Sequence, residues 1–339
     1  MKNFNKKLLS LIQIYNNSIN SLVEIGKIHC LIKDNFIKTN AAAYYIWFKK
    51  NYKGLEYFYN LLADLSEREL FLKMVATKLG CNFVLNKQKQ EYLKSRQIFD
   101  TLIINNSAIK LKTATRKLKF YNLSKLGYNL KIYGSRALLD KIVGYNQYFY
   151  KDCVINKGDY IIDAGGCWGD TALIFANKTG AEGKVWTFEF FEDNINVMEK
   201  NFLHNKIFSK IITLVKKPLY DKTNKNLYVN YACADITNLT EKKNSLQSYK
   251  TISIDDFVYE NKIPKIDFIK MDIEGCELKA LNGAVKTLKK YKPKLAIAAY
   301  HKNEDCYKIS KFLNELNIGY KFYFASYTLN FTDTVIYAV

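Results

Sequence analysis

The sequence predicts an α/β protein in which a helical N-terminal region precedes an open sheet of seven strands. Strands and helices alternate from about Lys157 onward, which favours a mostly parallel sheet with helices on both faces. The first 110 or so residues have helical periodicity instead. The last two strands follow each other without a helix between them, so one strand of this final hairpin is expected to be antiparallel. We therefore divide the chain into a helical region (1–110), linking strands and a helix (111–156) and an α/β domain (157–339).

The N-terminal region contains two stretches with helical spacing. The first is a short heptad-like stripe that stops before Gly26 and consists of Leu8, Ile12, Tyr15, Ile19 and Leu22. Two heptads are too few for a dependable coiled coil, so we expect this stripe to pack against the protein's own body. The second stretch begins at Ser66, which is predicted to form a capping box with Glu69, and it ends at Gly80. Between residues 117 and 134 the spacing shortens towards that of strands.

Seven short apolar runs are predicted to form the main sheet: GDYIIDA, KVWTFEF, IITLV, IDFIKMD, KLAIAAYH, KFYFASY and DTVIYAV. Helices of 3.6-residue period follow the first, second, fourth and fifth runs. After the fourth run we predict one helix, whose apolar face consists of Leu278, Leu281, Val285 and Leu288. The polar residues 221–250 interrupt the alternation and are predicted to form a surface insertion.

The formal net charge of +20 is concentrated in the first half of the chain. Residues 1–150 contain 25 Lys or Arg against 9 Asp or Glu, a net +16, whereas residues 151–339 contain 27 against 23, a net +4. A coding preference for lysine would explain this bias without any partner. Alternatively, the basic half meets an anionic partner such as a phosphorylated substrate, a membrane surface or nucleic acid.

Cysteine usage and hydropathy predict a soluble cytoplasmic protein. The seven cysteines are scattered without a Cys-x-x-Cys pair and the chain has three histidines, which argues against a disulfide framework or a structural zinc site. The basic N-terminus lacks a small-residue cleavage site. The longest apolar run, residues 41–48, is far shorter than the roughly 18 residues that a membrane span needs.

A glycine-rich turn after the first strand is the first candidate binding site. It opens a helix and contains Asp163, Gly165, Gly166, Gly169, Asp170 and Thr171. Glycines let the backbone approach a ligand, and the helix start offers free N–H groups. The spacing departs from the dinucleotide fingerprint and suits a nucleoside better than a pyrophosphate. Glu189, at the end of the second strand, is placed to accept hydrogen bonds from both ribose hydroxyls.

This combination resembles the class I S-adenosylmethionine-dependent methyltransferases and, more narrowly, the FkbM family of O-methyltransferases. The segments that carry the resemblance are DAGGCWGDTALIFA, TISIDDF, DFIKMDIEGCELKALNGA and YKPKLAIAAYHKNED. It covers about residues 55–339 and is strongest from Tyr150 onward. It implies a Rossmann-like sheet, S-adenosylmethionine as cofactor and methyl transfer to a hydroxyl, commonly of a sugar. Many relatives have an Arg-His pair where this chain has Ala325 and Ser326, so any substrate contact made by that pair must be made differently here. Phe190 and Leu219 complete the predicted cofactor-binding set.

Three carboxylates follow the fourth strand: Asp272, Glu274 and Glu277. Glu274 and Glu277 are predicted in the first turn of the next helix, where carboxylates stabilise the helix dipole. Asp272 ends a central strand, where open α/β sheets bind ligands. It could orient an acceptor hydroxyl, balance charge on the methionine side of the cofactor, or bind a divalent cation with Glu274 or Glu277. Oxygen ligands alone would suit Mg²⁺.

His301 ends the fifth strand beside Tyr300, with Glu304 and Asp305 close behind. A strand-end histidine with a pKa near 7 is a natural general base, although it could simply cap the following helix. We therefore predict Asp272 and His301 as the catalytic pair. His29 and His204 are predicted to be structural, and Asp255 and Asp256 to start a short helix.

The predicted function is O-methylation of a sugar hydroxyl in a cell-surface glycan or its precursor, and a phosphorylated or lipid-linked acceptor would also fit. Contact of the basic half with the inner membrane face would fit such an acceptor. A nucleic-acid methyltransferase is one alternative, but DIEG stands where amine-methylating enzymes have a Pro-Pro-Tyr type of motif, so no stable nucleic-acid partner is expected. A non-catalytic scaffold that docks at an anionic surface is the other alternative.

Overall fold

A computed structural model describes most of the chain: residues 4, 6–8, 10, 35–79, 97–111, 117–233, 236–243, 247–328 and 331–339. Apart from the buried Leu8, the predicted heptad stripe lies outside these ranges, as do His29 and Gly80. None of the helices in the described ranges is both long and apolar enough to cross a membrane.

Two N-terminal helices, α1 (Asn35–Leu61) and α2 (Leu65–Lys78), lie against one edge of the main sheet. Phe58 of α1 and Phe71 of α2 pack edge-to-face on Phe324, with ring centroids 5.8 and 5.6 Å away. The predicted capping box is wrong, because α2 starts one residue before Ser66 and its N-cap residue makes no side-chain capping bond. That residue, Asp64, pairs with Lys151 instead.

A small antiparallel sheet follows, with strands in the order β1 (Ile103–Lys110), β2 (Lys117–Asn122) and β3 (Lys131–Gly134). Strand β1 lies within residues 1–110, which we predicted to be helical, so these eight residues form a strand where a helix was expected. Strand β1 is stabilised by its pairing with β2, and the periodicity of residues 103–110 alone does not predict such a contact between two segments. A short helix, α3 (Arg136–Leu139), continues into a π-helical turn at Asp140–Gly144 and leads to the main sheet.

The main sheet has the seven predicted strands: β4 (Tyr160–Ala164), β5 (Lys184–Phe188), β6 (Ile212–Val215), β10 (Phe268–Met271), β11 (Lys294–Ala298), β12 (Phe322–Ser326) and β13 (Thr334–Ala338). Their order across the sheet is β12-β13-β11-β10-β4-β5-β6. Strand β13 runs antiparallel to both of its neighbours, whereas the other pairs are parallel. The predicted fold class is therefore confirmed, including the antiparallel final hairpin.

Helices cover both faces of this sheet: α4 (Asp170–Thr179), α5 (Glu192–His204), α6 (Lys206–Ser209), α7 (Ile254–Glu260), α8 (Glu277–Asn282), α9 (Val285–Tyr291) and α10 (Asp305–Glu315). The single helix predicted after β10 is two helices, α8 and α9. They separate at Gly283, where a Cβ would lie 2.2 Å from the Tyr220 carbonyl oxygen. The helix predicted to start at Asp255 and Asp256 is α7, which begins one residue earlier.

The polar insertion forms a second small sheet of strands β7 (Asn226–Cys233), β8 (Ile236–Thr240) and β9 (Ser248–Lys250), in the order β8-β7-β9. The residues that flank the insertion are paired with each other, since the Tyr220 backbone N–H donates to the Ile252 carbonyl.

The break between α8 and α9 is stabilised by a side chain from α7. Asp255 accepts hydrogen bonds from the Thr287 and Lys286 backbone N–H groups, at 2.7 and 2.9 Å, in the first turn of α9. We expect Asp255→Ala to lower the free energy of unfolding by about 1–2 kcal/mol, as the loss of a helix cap does. Urea denaturation measures this, with the exposed Glu260→Ala on the same helix as control. Equal stability of the two variants would contradict the capping role.

Candidate active site

The carboxyl ends of β4, β5, β10 and β11 bring the predicted site residues to one edge of the sheet. Strands β4 and β10 are in parallel register, so Gly165 follows one strand beside Asp272, which follows the other. The Asp272 backbone N–H donates to the Ala164 carbonyl at 3.1 Å. Gly165 has a φ of +81°, and a Cβ there would lie 2.0 Å from the Asp272 carbonyl oxygen. This close approach of two turns requires glycine.

A buried ion pair lies beneath these turns. Lys270, in the middle of β10, is directly opposite Asp163 of β4, and its Nζ lies 3.2 Å from Asp163 Oδ1. The other Asp163 oxygen accepts hydrogen bonds from the Thr171 and Thr187 hydroxyls at 2.9 and 3.0 Å. Lys270 Nζ also donates to the Ala164 and Gly165 carbonyls. Burial alone would lower the pKa of Lys270, but the nearby Asp163 and Asp272 carboxylates outweigh it and raise the pKa.

The first of two cavities at this edge is the candidate cofactor site. It offers about 620 Å³, part of it open to solvent, and its wall includes Gly165, Glu189, Phe190, Leu219 and Asp272. Glu189 accepts hydrogen bonds from the Phe190 and Phe191 backbone N–H groups, at 2.8 and 2.9 Å, and from the Asn194 amide at 3.2 Å. These bonds fix its carboxylate at the cavity wall. Burial raises the pKa of Glu189, although the hydrogen bonds partly oppose the shift.

The polar insertion contributes to this first cavity. Leu239 of β8 lies in its wall, and the Tyr249 ring of β9 packs 4.7 Å from the Phe190 ring, measured between centroids. Residues 221–250 were predicted only as a surface insertion, because no local sequence pattern indicates that they border a cavity.

A second cavity lies on the other side of Asp272. It shares four wall residues with the first cavity: Gly165, Cys167, Asp272 and Glu274. The rest of its wall includes Lys141, Tyr148, Asp170, Lys270, Tyr300 and Asp333. Lys141 is paired with Asp333 at 2.7 Å. The Asp272 side chain therefore stands between two cavities.

The predicted cofactor-binding residues fall into three groups. Four line the first cavity: Gly165, Glu189, Phe190 and Leu219. Asp170 and Thr171 line the second cavity instead. Asp163, Gly166 and Gly169 line neither cavity. A Cβ at Gly166 would lie 2.0 Å from the Thr187 hydroxyl, so this glycine permits close packing beneath the turn.

Asp272 is held by two tyrosines. Tyr148 donates its hydroxyl to Oδ2 at 2.9 Å, and Tyr300 donates to Oδ1 at 3.0 Å. Burial alone would raise the pKa of Asp272, but the charges of His301 and Lys270 and the tyrosine hydrogen bonds outweigh it and lower the pKa. Burial, together with the Asp272 charge, raises the pKa of both tyrosines, so each keeps its proton and remains a donor.

His301 lies among three carboxylates. Its Nδ1 is 3.1 Å from Glu277, and its Nε2 is 3.4 Å from Asp272 and 3.6 Å from Glu274. Burial would lower the pKa of His301, but Glu277, Asp272 and Glu274 together raise it to about 10. We therefore expect the imidazole to be protonated at neutral pH. This pKa is higher than the value near 7 that we expected, because the sequence does not show that these acids surround the ring. The catalytic role of His301 stays a prediction.

The two glutamates after Asp272 have different positions. Glu277 is the first residue of α8, as expected, and its carboxylate turns back to accept the Ile273 backbone N–H at 2.8 Å. Glu274 precedes the helix, in a left-handed conformation with φ +55°, so its prediction in the first helical turn is wrong. His204, at the end of α5, packs its ring 4.7 Å from the Phe120 ring, which fits the predicted structural role.

Three residues of the site were missed from the sequence: Lys270, Tyr148 and Lys141. A lysine inside the apolar run FIKM was a visible signal for Lys270, because a buried lysine requires a partner. Tyr148 lies 124 residues before Asp272 in the chain, and no local pattern connects them.

Comparisons with known proteins agree with this architecture. A model of the methyltransferase FkbM domain matches residues 152–322, about half of the chain. The crystal structure of a methyltransferase FkbM from Methylobacillus flagellatus KT superimposes with a TM-score of 0.55 at 17% identity, over 87% of this chain and 60% of that one. This chain therefore spans less than two thirds of that protein. Fibrillarin from Aeropyrum pernix, solved with natively bound S-adenosylmethionine, matches with a TM-score of 0.40 at 12% identity, over 69% and 99% of the two chains. No curated protein matches the chain significantly.

The buried Asp170 in the second cavity predicts a pH-dependent stability. Its Oδ1 accepts the Thr171 backbone N–H at 2.9 Å, its Oδ2 has no hydrogen-bond partner among the described residues, and burial raises its pKa from 3.8 to about 6. A raised pKa means that the folded protein holds the proton more tightly, so this stabilisation is complete below pH 3.8 and is lost as the pH rises through 6.

We therefore expect Asp170→Asn to gain stability relative to the wild type, by up to about 3 kcal/mol, as the pH rises from 4 to 7. Urea denaturation of the ligand-free proteins at several pH values measures this difference. The exposed Glu182→Gln should show no such trend. A constant difference between Asp170→Asn and the wild type would show that the carboxyl is not perturbed.

Proposed function

Because the chain belongs to the FkbM methyltransferase family, we propose that it methylates a hydroxyl group of a sugar, in a cell-surface glycan or its precursor. Dependence on S-adenosylmethionine is a property of the family and fold. What we propose is the identity of the methyl acceptor. The observation that carries it is the pair of cavities that meet at Asp272, the second of which is lined by carboxylates and tyrosines.

The first cavity suits the nucleoside of S-adenosylmethionine. The Glu189 carboxylate lies in its wall, where it can accept hydrogen bonds from ribose hydroxyls beside its backbone donors. Phe190, Leu219 and Leu239 provide apolar walls for the base. When bound, the cofactor supplies an electrophilic methyl group on a sulfonium centre. The protein must then align an acceptor oxygen and take up its proton.

The second cavity favours a neutral, hydroxyl-rich acceptor. Its wall carries four carboxylates: Asp170, Asp272, Glu274 and Asp333. Carboxylates accept hydrogen bonds from hydroxyl groups, and Asp170 Oδ2 has no other partner in the described part of the chain. The two lysines of the wall, Lys141 and Lys270, are already paired with Asp333 and Asp163. A phosphate group in this cavity would therefore meet more negative than positive charge.

Asp272 is the residue that we assign to the acceptor hydroxyl. Its lowered pKa keeps it ionised, so it can accept a hydrogen bond from the hydroxyl and take its proton as the oxygen–carbon bond forms. Tyr148 and Tyr300 fix the carboxylate between the two cavities. The positive charge of a protonated His301 would stabilise the negative charge of Asp272.

The basic N-terminal half supports an acceptor that is presented at an anionic surface. The net +16 over residues 1–150 would attract a lipid-linked or phosphorylated carrier, while the acidic second cavity would receive the neutral sugar. The same charge also fits the alternative of a nucleic-acid substrate, but the carboxylates around Asp272 oppose a phosphate backbone there.

The cofactor site predicts selective binding. We expect calorimetry to detect micromolar binding of S-adenosylmethionine or S-adenosylhomocysteine and no binding of NAD. Glu189→Ala should lose about 1.5–3 kcal/mol of binding free energy, because the ribose hydroxyls lose a charged acceptor. The exposed Glu199→Ala on α5 is the control and should bind as the wild type does. Binding of NAD without a response to either methionine nucleoside would overturn the assignment.

The position of Asp272 predicts a selective loss of turnover. Asp272→Asn keeps the shape of the side chain and removes its charge, so methyl transfer should fall by about 10²–10⁴-fold while cofactor affinity stays within a few-fold. Transfer of labelled methyl from S-adenosylmethionine to glycans from cells that lack the protein measures this, with mass spectrometry to locate the methyl group. Full activity of Asp272→Asn would exclude it from catalysis, and labelling of nucleic acid instead of glycan would overturn the proposed acceptor.

A further inference from the structure

We propose that Asp272, Glu277 and His301 form a binding site for a divalent first-row transition-metal cation. One oxygen from each carboxylate and one ring nitrogen of His301 lie within 4.8 Å of one another. The three side chains come from the end of β10, the start of α8 and the segment after β11, so the fold itself assembles the cluster. Binding of the cation does not depend on the proposed function.

The burial of this cluster makes its unsatisfied atoms significant. Glu277 is 1% exposed, and its Oε1 is fixed by the Ile273 N–H, whereas its Oε2 has no hydrogen-bond partner in the described ranges. The His301 side chain is 9% exposed. Its nitrogens lie within 3.1–3.4 Å of Glu277 and Asp272, but neither ring nitrogen forms a well-directed hydrogen bond to a described residue. Buried polar atoms without a hydrogen-bond partner lower the stability of the folded protein, and coordination to a cation would give these atoms a partner.

The donor set indicates which cation fits. Two carboxylate oxygens and one imidazole nitrogen are ligands for Mn²⁺, Fe²⁺ or Zn²⁺, whereas Mg²⁺ is held mainly by oxygen. The Mg²⁺ set expected from the sequence, Asp272 with Glu274 or Glu277, is thus revised to include His301. Three protein ligands leave coordination positions open for water or another ligand.

The cation would also have a role in the proposed methyl transfer. Only this role rests on the proposed function. Asp272 borders both cavities, so a cation on it would have an open position towards the acceptor. A coordinated hydroxyl loses its proton more readily than a free one, as coordinated water does. The cation would therefore favour release of the acceptor proton, which would pass to the Asp272 oxygen that does not bind the cation, while Tyr148 and Tyr300 keep Asp272 oriented.

The same positions of the side chains would also result without a metal, if a protonated His301 formed an ion-pair cluster with the carboxylates around it. The two states are distinguished by a direct measurement of metal binding. The intact protein is treated with chelator, desalted and titrated with Mn²⁺, and the paramagnetic resonance signal of free Mn²⁺ is recorded without cofactor or acceptor. We expect one tight site per chain and displacement of the bound Mn²⁺ by Zn²⁺.

Three variants test the ligands. Asp272→Asn, Glu277→Gln and His301→Gln should each weaken Mn²⁺ binding by at least about 10- to 100-fold. Glu315→Gln, a 62% exposed residue of α10, is the control and should bind as the wild type does. Glu277 also fixes the backbone of its loop, so His301→Gln provides the decisive comparison if Glu277→Gln does not fold.

Absence of Mn²⁺ and Zn²⁺ uptake by the wild type up to about 1 mM would overturn the proposal and leave the ion-pair cluster. Undiminished binding in both Asp272→Asn and His301→Gln would also overturn it, because the site would lie elsewhere. Calorimetry with S-adenosylmethionine on the same samples separates the two proposals. Cofactor binding and methyl transfer without metal uptake contradict only the metal site, and metal uptake without methyl transfer contradicts only the proposed function.

Discussion

The buried ion pair between Lys270 and Asp163 is the interaction on which the site depends. Removing two charges from water costs several kcal/mol for each ion, so the pair is tolerated because the charges compensate each other and hydrogen bonds satisfy Lys270 Nζ and Asp163 Oδ2. Lys270 is 2% exposed and Asp163 fully buried, and each has further hydrogen bonds to the turn after β4. Loss of either partner would leave an uncompensated charge under the active edge of the sheet.

The same pair fixes the distance between the two turns that form the site. Lys270 binds the carbonyls of Ala164 and Gly165, and Gly165 in turn lies against the backbone of Asp272. Both cavities therefore have Gly165 and Asp272 in their walls. Asp163 does not line either cavity, and it pairs with the lysine that binds the carbonyls of the turn.

Those features that depend on short stretches of sequence were predictable. Strand periodicity, the glycine turn and Glu189 are local patterns, and the absence of a helix before β13 was enough to predict the antiparallel strand. The features that were missed arise where distant segments meet. The ionisation of His301 depends on three acids that surround it only after folding, and the role of Tyr148 depends on a loop far from Asp272 in the chain. Strand β1 was missed for the same reason, because its partner β2 decides its structure.

The position of β13 has a consequence for how the protein acquires its structure during synthesis. This strand lies between β11 and β12, and it is the partner through which β12 joins the sheet. Helices α1 and α2 pack on β12 through Phe58, Phe71 and Phe324. On the ribosome, these two helices emerge long before residues 334–338 exist to complete the surface that buries them. The apolar residues of these helices therefore stay exposed for most of translation. Because exposed apolar surface promotes aggregation, we expect the nascent chain to bind chaperones.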